Sequence, residues 1–142
     1  MKNLLFICFL TFTGITALQA QEETYNLTIE VSGMDTDTGR VFLALSDRAK
    51  SFLKKGEGTR GTNATVKNGK AIIYFKGLKK GDYAASVFHD ANDNNIMDTK
   101  LFGIPKEPYG FSNNAKGFMG PPSFEDAKFV LDDDKTIFIE VN

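Results

Sequence analysis

Residues 70–89, KAIIYFKGLKKGDYAASVFH, hold the two most regular strand signals of the chain, joined by a short turn. Lys70 to Phe75 is rich in β-branched and aromatic residues, and Tyr83 to His89 returns to an apolar alternation. Between them, Leu78 reads as a buried turn residue and Gly81 as a position free to take unusual backbone angles. Two strands joined so closely make an antiparallel hairpin, and the hairpin sets the expectation for what flanks it.

Upstream, Tyr25 to Ser32 (YNLTIEVS) alternates Leu27, Ile29 and Val31 with polar residues, the pattern of a half-buried strand. A turn cluster, GMDTDTG at 33–39, leads into RVFLAL at 40–45, which is apolar on both faces and so reads as a central strand. Ser46 to Lys55 breaks the period of two and suits a short helix capped by Ser46 or Asp47. Residues 56–63 read as loop and 64–67 as a short edge strand. Downstream, Ala127 to Leu131 and Thr136 to Val141 add two strands, with Ile137 and Ile139 on one face of the last and Phe138 on the other. About seven strands with no alternation of strand and helix predict an all-β fold, a single antiparallel sandwich with one short helix.

The first 20 residues stand apart. Lys2 gives a positive start, Leu4 to Phe12 an apolar stretch, and Leu18-Gln19-Ala20 a cleavage site before Gln21, which together read as a secretory signal peptide. Thr11, Thr13, Gly14 and Thr16 interrupt the apolar run short of the roughly 20 residues of a membrane span. Cys8 has no small residue before it, so a lipid-attachment box does not fit. The expectation is a secreted or periplasmic protein with no stable membrane insertion, in which residues 21–142 form one β-sandwich domain. Cleavage removes the only cysteine, leaving no disulfide and no thiolate chemistry. Losing Lys2 from 17 basic residues leaves 16 against 18 acidic ones, mostly interspersed, which gives no electrostatic case for nucleic acid.

Function is expected after His89. Asp90, Asn92 and Asn94 fall at the first, third and fifth positions of a calcium loop, Ile96 offers its carbonyl at the seventh and Asp98 a carboxylate at the ninth. Such all-oxygen ligands favour Ca2+ over zinc or copper. Asn95 replaces the usual glycine at the sixth position and is the next most tolerant of positive φ. Leu101 stands where a bidentate glutamate belongs, so a full shell needs Asp93 or Glu107 to fold back. The competing reading is a set of Asx turns in a polar loop with no ion. His89, the single histidine, reads as a residue at the core edge, hydrogen-bonded to backbone.

From Thr99 to Asp126 the chain is punctuated by Gly103, Gly110, Gly117 and Gly120 and by all 4 prolines, yet it carries Phe102, Tyr109, Phe111, Phe118, Met119 and Phe124. It is too apolar for a disordered linker and too broken for regular structure, so a long ordered loop is expected. Ser123 to Asp126 could close one capped turn within it. Tyr109, Phe111, Ser112, Asn113 and Asn114 are its candidate ligand-binding surface; the alternative is a flap whose aromatics cover an open edge of the sandwich.

The segments HDANDNNIMD (89–98), GIPKEPYGFSNNAKG (103–117) and GPPSFEDAKF (120–129) resemble those of a family of secreted bacterial proteins known as a domain of unknown function, number 2141. The likeness spans nearly all of the mature chain and implies an extracytoplasmic β-sandwich, without supplying an activity. The hairpin spacing Phe75, Leu78, Gly81, Tyr83 further resembles that of transthyretin-like and Ig-like sandwiches, in which such a tyrosine forms a corner.

The functional expectation is a secreted, non-enzymatic binding module with a calcium loop, its partner an extracytoplasmic ligand or an envelope protein. A structural or assembly role in the cell envelope is the alternative. A hydrolase ranks last: His89, Asp90 and Ser112 are available, but neighbouring strand residues point to opposite faces, and no nucleophile elbow is present. Glu107, Glu125 and Asp126 could supply a glycosidase pair, though nothing fixes their separation.

Overall fold

The computed structural model describes residues 22–142, so the expected signal peptide lies outside the described residues. Eight strands pack as two open sheets: β1 (Thr24–Ser32), β2 (Arg40–Ser46), β3 (Thr59–Thr65), β4 (Lys70–Lys79), β5 (Gly81–Asp90), β6 (Tyr109–Phe111), β7 (Phe129–Leu131) and β8 (Lys135–Glu140). One sheet runs β4-β1-β8 and the other β3-β2-β5-β6, with β7 added to the start of β5. The fold is an all-β sandwich. Among the described residues no helix is long and apolar enough to cross a membrane.

Alternation in sequence becomes two facing layers. Leu27, Ile29 and Val31 of β1 and Ile73 of β4 meet Val41, Leu43 and Leu45 of β2 and Ala85 and Val87 of β5 in one continuous core. Leu27, Ile29 and Leu78 are fully buried, each contributing about 1.5–3 kcal/mol through removal from water. Tyr83 packs against Phe129, and its hydroxyl donates to the Lys79 carbonyl at 2.9 Å, tying the β4–β5 turn to the strand after it.

Three segments differ from the sequence expectation. Ser46 ends β2 and residues 47–55 form turns, because the Ser51 hydroxyl donates to the Arg48 and Gly58 carbonyls and Leu53 takes a φ of 59°, which ends any helix there. β3 begins at Thr59, inside the segment read as loop, and pairs residue for residue with β2. β8 runs parallel to β1, aligning Ile137 with Ile29 and Ile139 with Val31. Alternation specifies the buried face of a strand and says nothing of its direction.

The short helix lies elsewhere. α1 (Phe124–Ala127) is the capped turn read from Ser123 to Asp126: the Ser123 hydroxyl accepts from the Asp126 N–H, while the Asp126 carboxylate accepts from the Ser123 N–H. The bond from the Ser123 hydroxyl, and then that from its N–H, hold the Asp126 carboxyl below its ordinary range. α1 carries Phe124 and Ala127 onto a second apolar cluster with Phe52, Ala84 and Phe111. Phe52 anchors it through an edge-to-face contact with Phe124 at 5.9 Å and a tilted one with Phe111 at 6.2 Å. The start of β5 is therefore buried on both faces, Ala84 in the second cluster and Tyr83 and Ala85 in the first.

Candidate functional site: the loop from Asp90 to Glu107

The loop leaves the sheet from a fixed point. His89 is buried; its Nε2 donates to the Thr38 carbonyl at 2.8 Å, and its backbone N–H donates to Pro108 at 2.8 Å, closing the two ends of the loop on each other. Gly39 lies against the next residue with a φ of 70°, and a Cβ there would sit 1.8 Å from the Asp90 carbonyl oxygen. Only glycine allows the turn before β2 to approach the root of the loop so closely.

Asp90 is fully buried, and one of its carboxylate oxygens accepts from the Asn94 N–H at 3.2 Å, the other from the Asn95 N–H at 2.7 Å. The same device repeats along the chain: Asn92 Oδ1 accepts from the Asn94 N–H at 3.1 Å, and Asn94 Oδ1 from the Ile96 N–H at 3.0 Å. Asp93 and Asn95 take φ of 57° and 66°, which curls the backbone so that alternate side chains share one side. As a result the Asn92 and Asn94 amides both donate to Asp98 Oδ2, at 2.7 and 3.2 Å. Four of the five residues read as ion ligands thus form one bonded set, while the fifth, Ile96, joins it through its backbone.

The two residues considered for the missing ligand part ways. Asp93 turns out to an ion pair with Arg40 at 3.5 Å. Glu107 turns in: it is 9% exposed, and its Oε2 accepts from the Asp98 N–H at 3.0 Å, while the Lys106 N–H donates to the Asp98 carbonyl at 2.8 Å. Its other oxygen, Oε1, is buried without a hydrogen-bond partner. Among the described residues no three His, Cys, Asp or Glu side chains gather as a metal site, so a cation here would draw on the amide and backbone oxygens as well as the acids. Leu101, at the twelfth position, is 82% exposed on a tight tip closed by a bond from the Lys100 N–H to the Ile104 carbonyl at 2.7 Å. Phe102 beside it is 97% exposed at a φ of 65°.

The five residues read as a ligand-binding surface divide. Phe111 faces inward, in the second apolar cluster. Ser112 is fully buried, its hydroxyl accepting from the Ala85 N–H at 2.9 Å and donating to the Ala127 carbonyl, which ties β5 to α1. Neither side chain is presented to solvent, because Phe52, Phe124 and Ala127 cover them on the outer face of the sheet. Asn113 is exposed, but its amide donates to the Asp126 and Lys128 carbonyls at 3.3 and 2.8 Å. Asn114 Oδ1 accepts from the Glu140 N–H at 2.9 Å. Tyr109, 38% exposed, packs edge-on against Phe111 and with Asn114, Lys116, Glu140 and Asn142 lines a groove of about 310 Å³. The accessible part of the expected surface is therefore Tyr109, Asn113 and Asn114, of which Tyr109 and Asn114 line the groove.

The trio considered for hydrolysis is engaged in three separate places: His89 with Thr38, Asp90 with Asn94 and Asn95, and Ser112 with Ala85 and Ala127.

Residues 29–138 match the model of a family described as an uncharacterized protein conserved in bacteria, DUF2141, and the chain belongs to that family. No curated protein matches the chain. No solved structure matches it.

Proposed function

We propose that this protein is a secreted, non-enzymatic binding module of the bacterial cell exterior, in which calcium bound at Asp90, Asn92, Asn94, Ile96 and Asp98 stiffens the long loop between β5 and β6. The observation that carries this reading is the meeting of Asn92, Asn94 and Asp98 side chains around a loop rooted on the buried Asp90 carboxylate. A hard divalent ion suits the carboxylate and amide oxygens of that set; to bind it, the Asn92 and Asn94 amide N–H groups would give up their bonds to Asp98. The groove beside Tyr109 and Asn114 is the candidate seat of the extracytoplasmic ligand, since it joins an aromatic face to polar groups. The separate engagement of His89, Asp90 and Ser112 gives no support to hydrolysis.

The test is thermal unfolding of the purified mature protein with 1 mM calcium and with chelator. A structural site of extracellular type, with a dissociation constant of about 0.1–1 mM, adds about 0.4–1.4 kcal/mol under these conditions. Coincident curves would leave the loop as a set of Asx turns alone.

The envelope-assembly reading draws on a different face. Ile72 and Tyr74 of β4 and Phe138 of β8 are all exposed on the outside of the three-stranded sheet. Sedimentation velocity separates the two readings, because assembly through that face requires a concentration-dependent oligomer that Phe138→Ser weakens.

A further inference from the structure

Resting on the calcium reading, we propose that Glu107, 17 residues beyond Asp90, is the carboxylate that completes the ion site, taking the place left by the exposed Leu101. Three observations lead there. Asp93, the nearer acid, is committed to Arg40. Glu107 is nine-tenths buried against the Asp98 backbone with one oxygen bonded and the other without a partner. None of the ion pairs among the described residues involves Asp90, Asp98 or Glu107. A buried carboxylate oxygen lacking any donor is costly and rare. A divalent cation is the ligand that removes that cost, drawing on the Glu107 oxygen together with the amide and backbone oxygens of the loop.

This arrangement changes what the ion does. An ordinary calcium loop closes on itself within about 12 residues. Here the ion would bridge the end of β5 at Asp90 to the residue two places before β6, clasping the whole segment between them. The clasp would hold the tip of Leu101, Phe102 and Ile104, all exposed, in a fixed place. Calcium would thereby govern the display of an apolar tip beyond the ion's own contacts.

Calorimetric titration with calcium chloride of wild type and Glu107→Gln tests the assignment, since glutamine keeps an acceptor for the Asp98 N–H while losing the charge. The expected result is at least a tenfold weaker affinity in the variant, together with loss of calcium-dependent protection of residues 99–106 from protease. Equal affinities would overturn the role of Glu107 and leave the calcium reading intact; no binding by wild type would overturn both. Carbon-13 NMR of the wild-type glutamate carboxyls decides the matter if the variant does not fold. The Glu107 resonance should move with the binding isotherm, and a Glu107 resonance unmoved at saturating calcium refutes the proposal.

Discussion

The Glu107 carboxylate accepts a hydrogen bond from the Asp98 backbone N–H at 3.0 Å, joining two residues that lie on either side of an exposed apolar tip. Through this bond the long connection between β5 and β6 is an organised loop closed at its neck. The His89 to Pro108 backbone bond closes the same neck one step closer to the sheet.

Asp90 and Asp98 should respond differently to removal. The Asp90 carboxylate holds two backbone N–H groups in a buried place, so Asp90→Ala should cost about 1–3 kcal/mol even in chelator. Asp98→Ala should alter stability in chelator much less, yet abolish the calcium increment. Equal behaviour of the two variants in denaturant titrations would contradict the division between root and ligand.

Phe111→Ala should lose about 3–5 kcal/mol, since it empties the centre of the second cluster. Tyr109→Ala should lose much less, and any effect on ligand capture should come from that position. Urea unfolding of the two single variants measures both, and a stable Phe111→Ala would show that the second cluster is dispensable.

Ser112→Ala leaves the Ala85 N–H and the Ala127 carbonyl without their buried partner. The expected loss is about 1–3 kcal/mol, read from the same unfolding curves. Hydrogen exchange at Ala85 should accelerate, and an unchanged rate there would remove the hydroxyl's bridging role.

β1 is legible directly from sequence because it has one apolar face, and β4 and β5 because each is a run of apolar and aromatic residues bounded by turn signals. β3 is not: TRGTNAT has no such face, and it becomes a strand only because β2 offers a full row of partners. The segment at 46–55 misleads for a related reason, since its buried Phe52 answers to a cluster outside the sandwich interior. The spacing of Asp90, Asn92, Asn94 and Asp98 shows in sequence because the loop chemistry is local. The inward turn of Phe111 and Ser112 is hidden, as it depends on α1 returning from residue 124 to cover them.

Acid should weaken the fold through surface carboxylates. Backbone N–H groups of Gly69 and Asn68 hold the Asp37 carboxyl below its ordinary range, and the Asn26 backbone and amide do the same for Asp134. A carboxyl depressed in the folded state stabilises above its unfolded value and loses that contribution as pH falls through the folded one. Melting temperature should therefore hold steady from neutrality to about pH 5 and decline below about pH 4. Asp37→Asn should flatten part of that decline; a fold that gained stability on acidification would contradict it.

Secreted material should begin at Gln21, because Ala20 is the small residue that signal peptidase requires. Intact mass spectrometry measures this directly. A product retaining residues 1–20 would contradict export by cleavage.

The most direct test of the calcium site is a nitrogen-15 NMR titration of the mature protein with calcium, which reads every backbone amide at once. The acidic run at Asp132 to Asp134 is the internal control, since Asp134 is already bonded to Asn26 and Lys135 pairs with Asp132 and Asp133. The amides of Asn94, Asn95, Ile96, Asp98 and Glu107 should move together along one saturating curve while those of residues 132–134 stay in place. Shifts confined to 132–134, or no shift in the loop at millimolar calcium, would contradict the site.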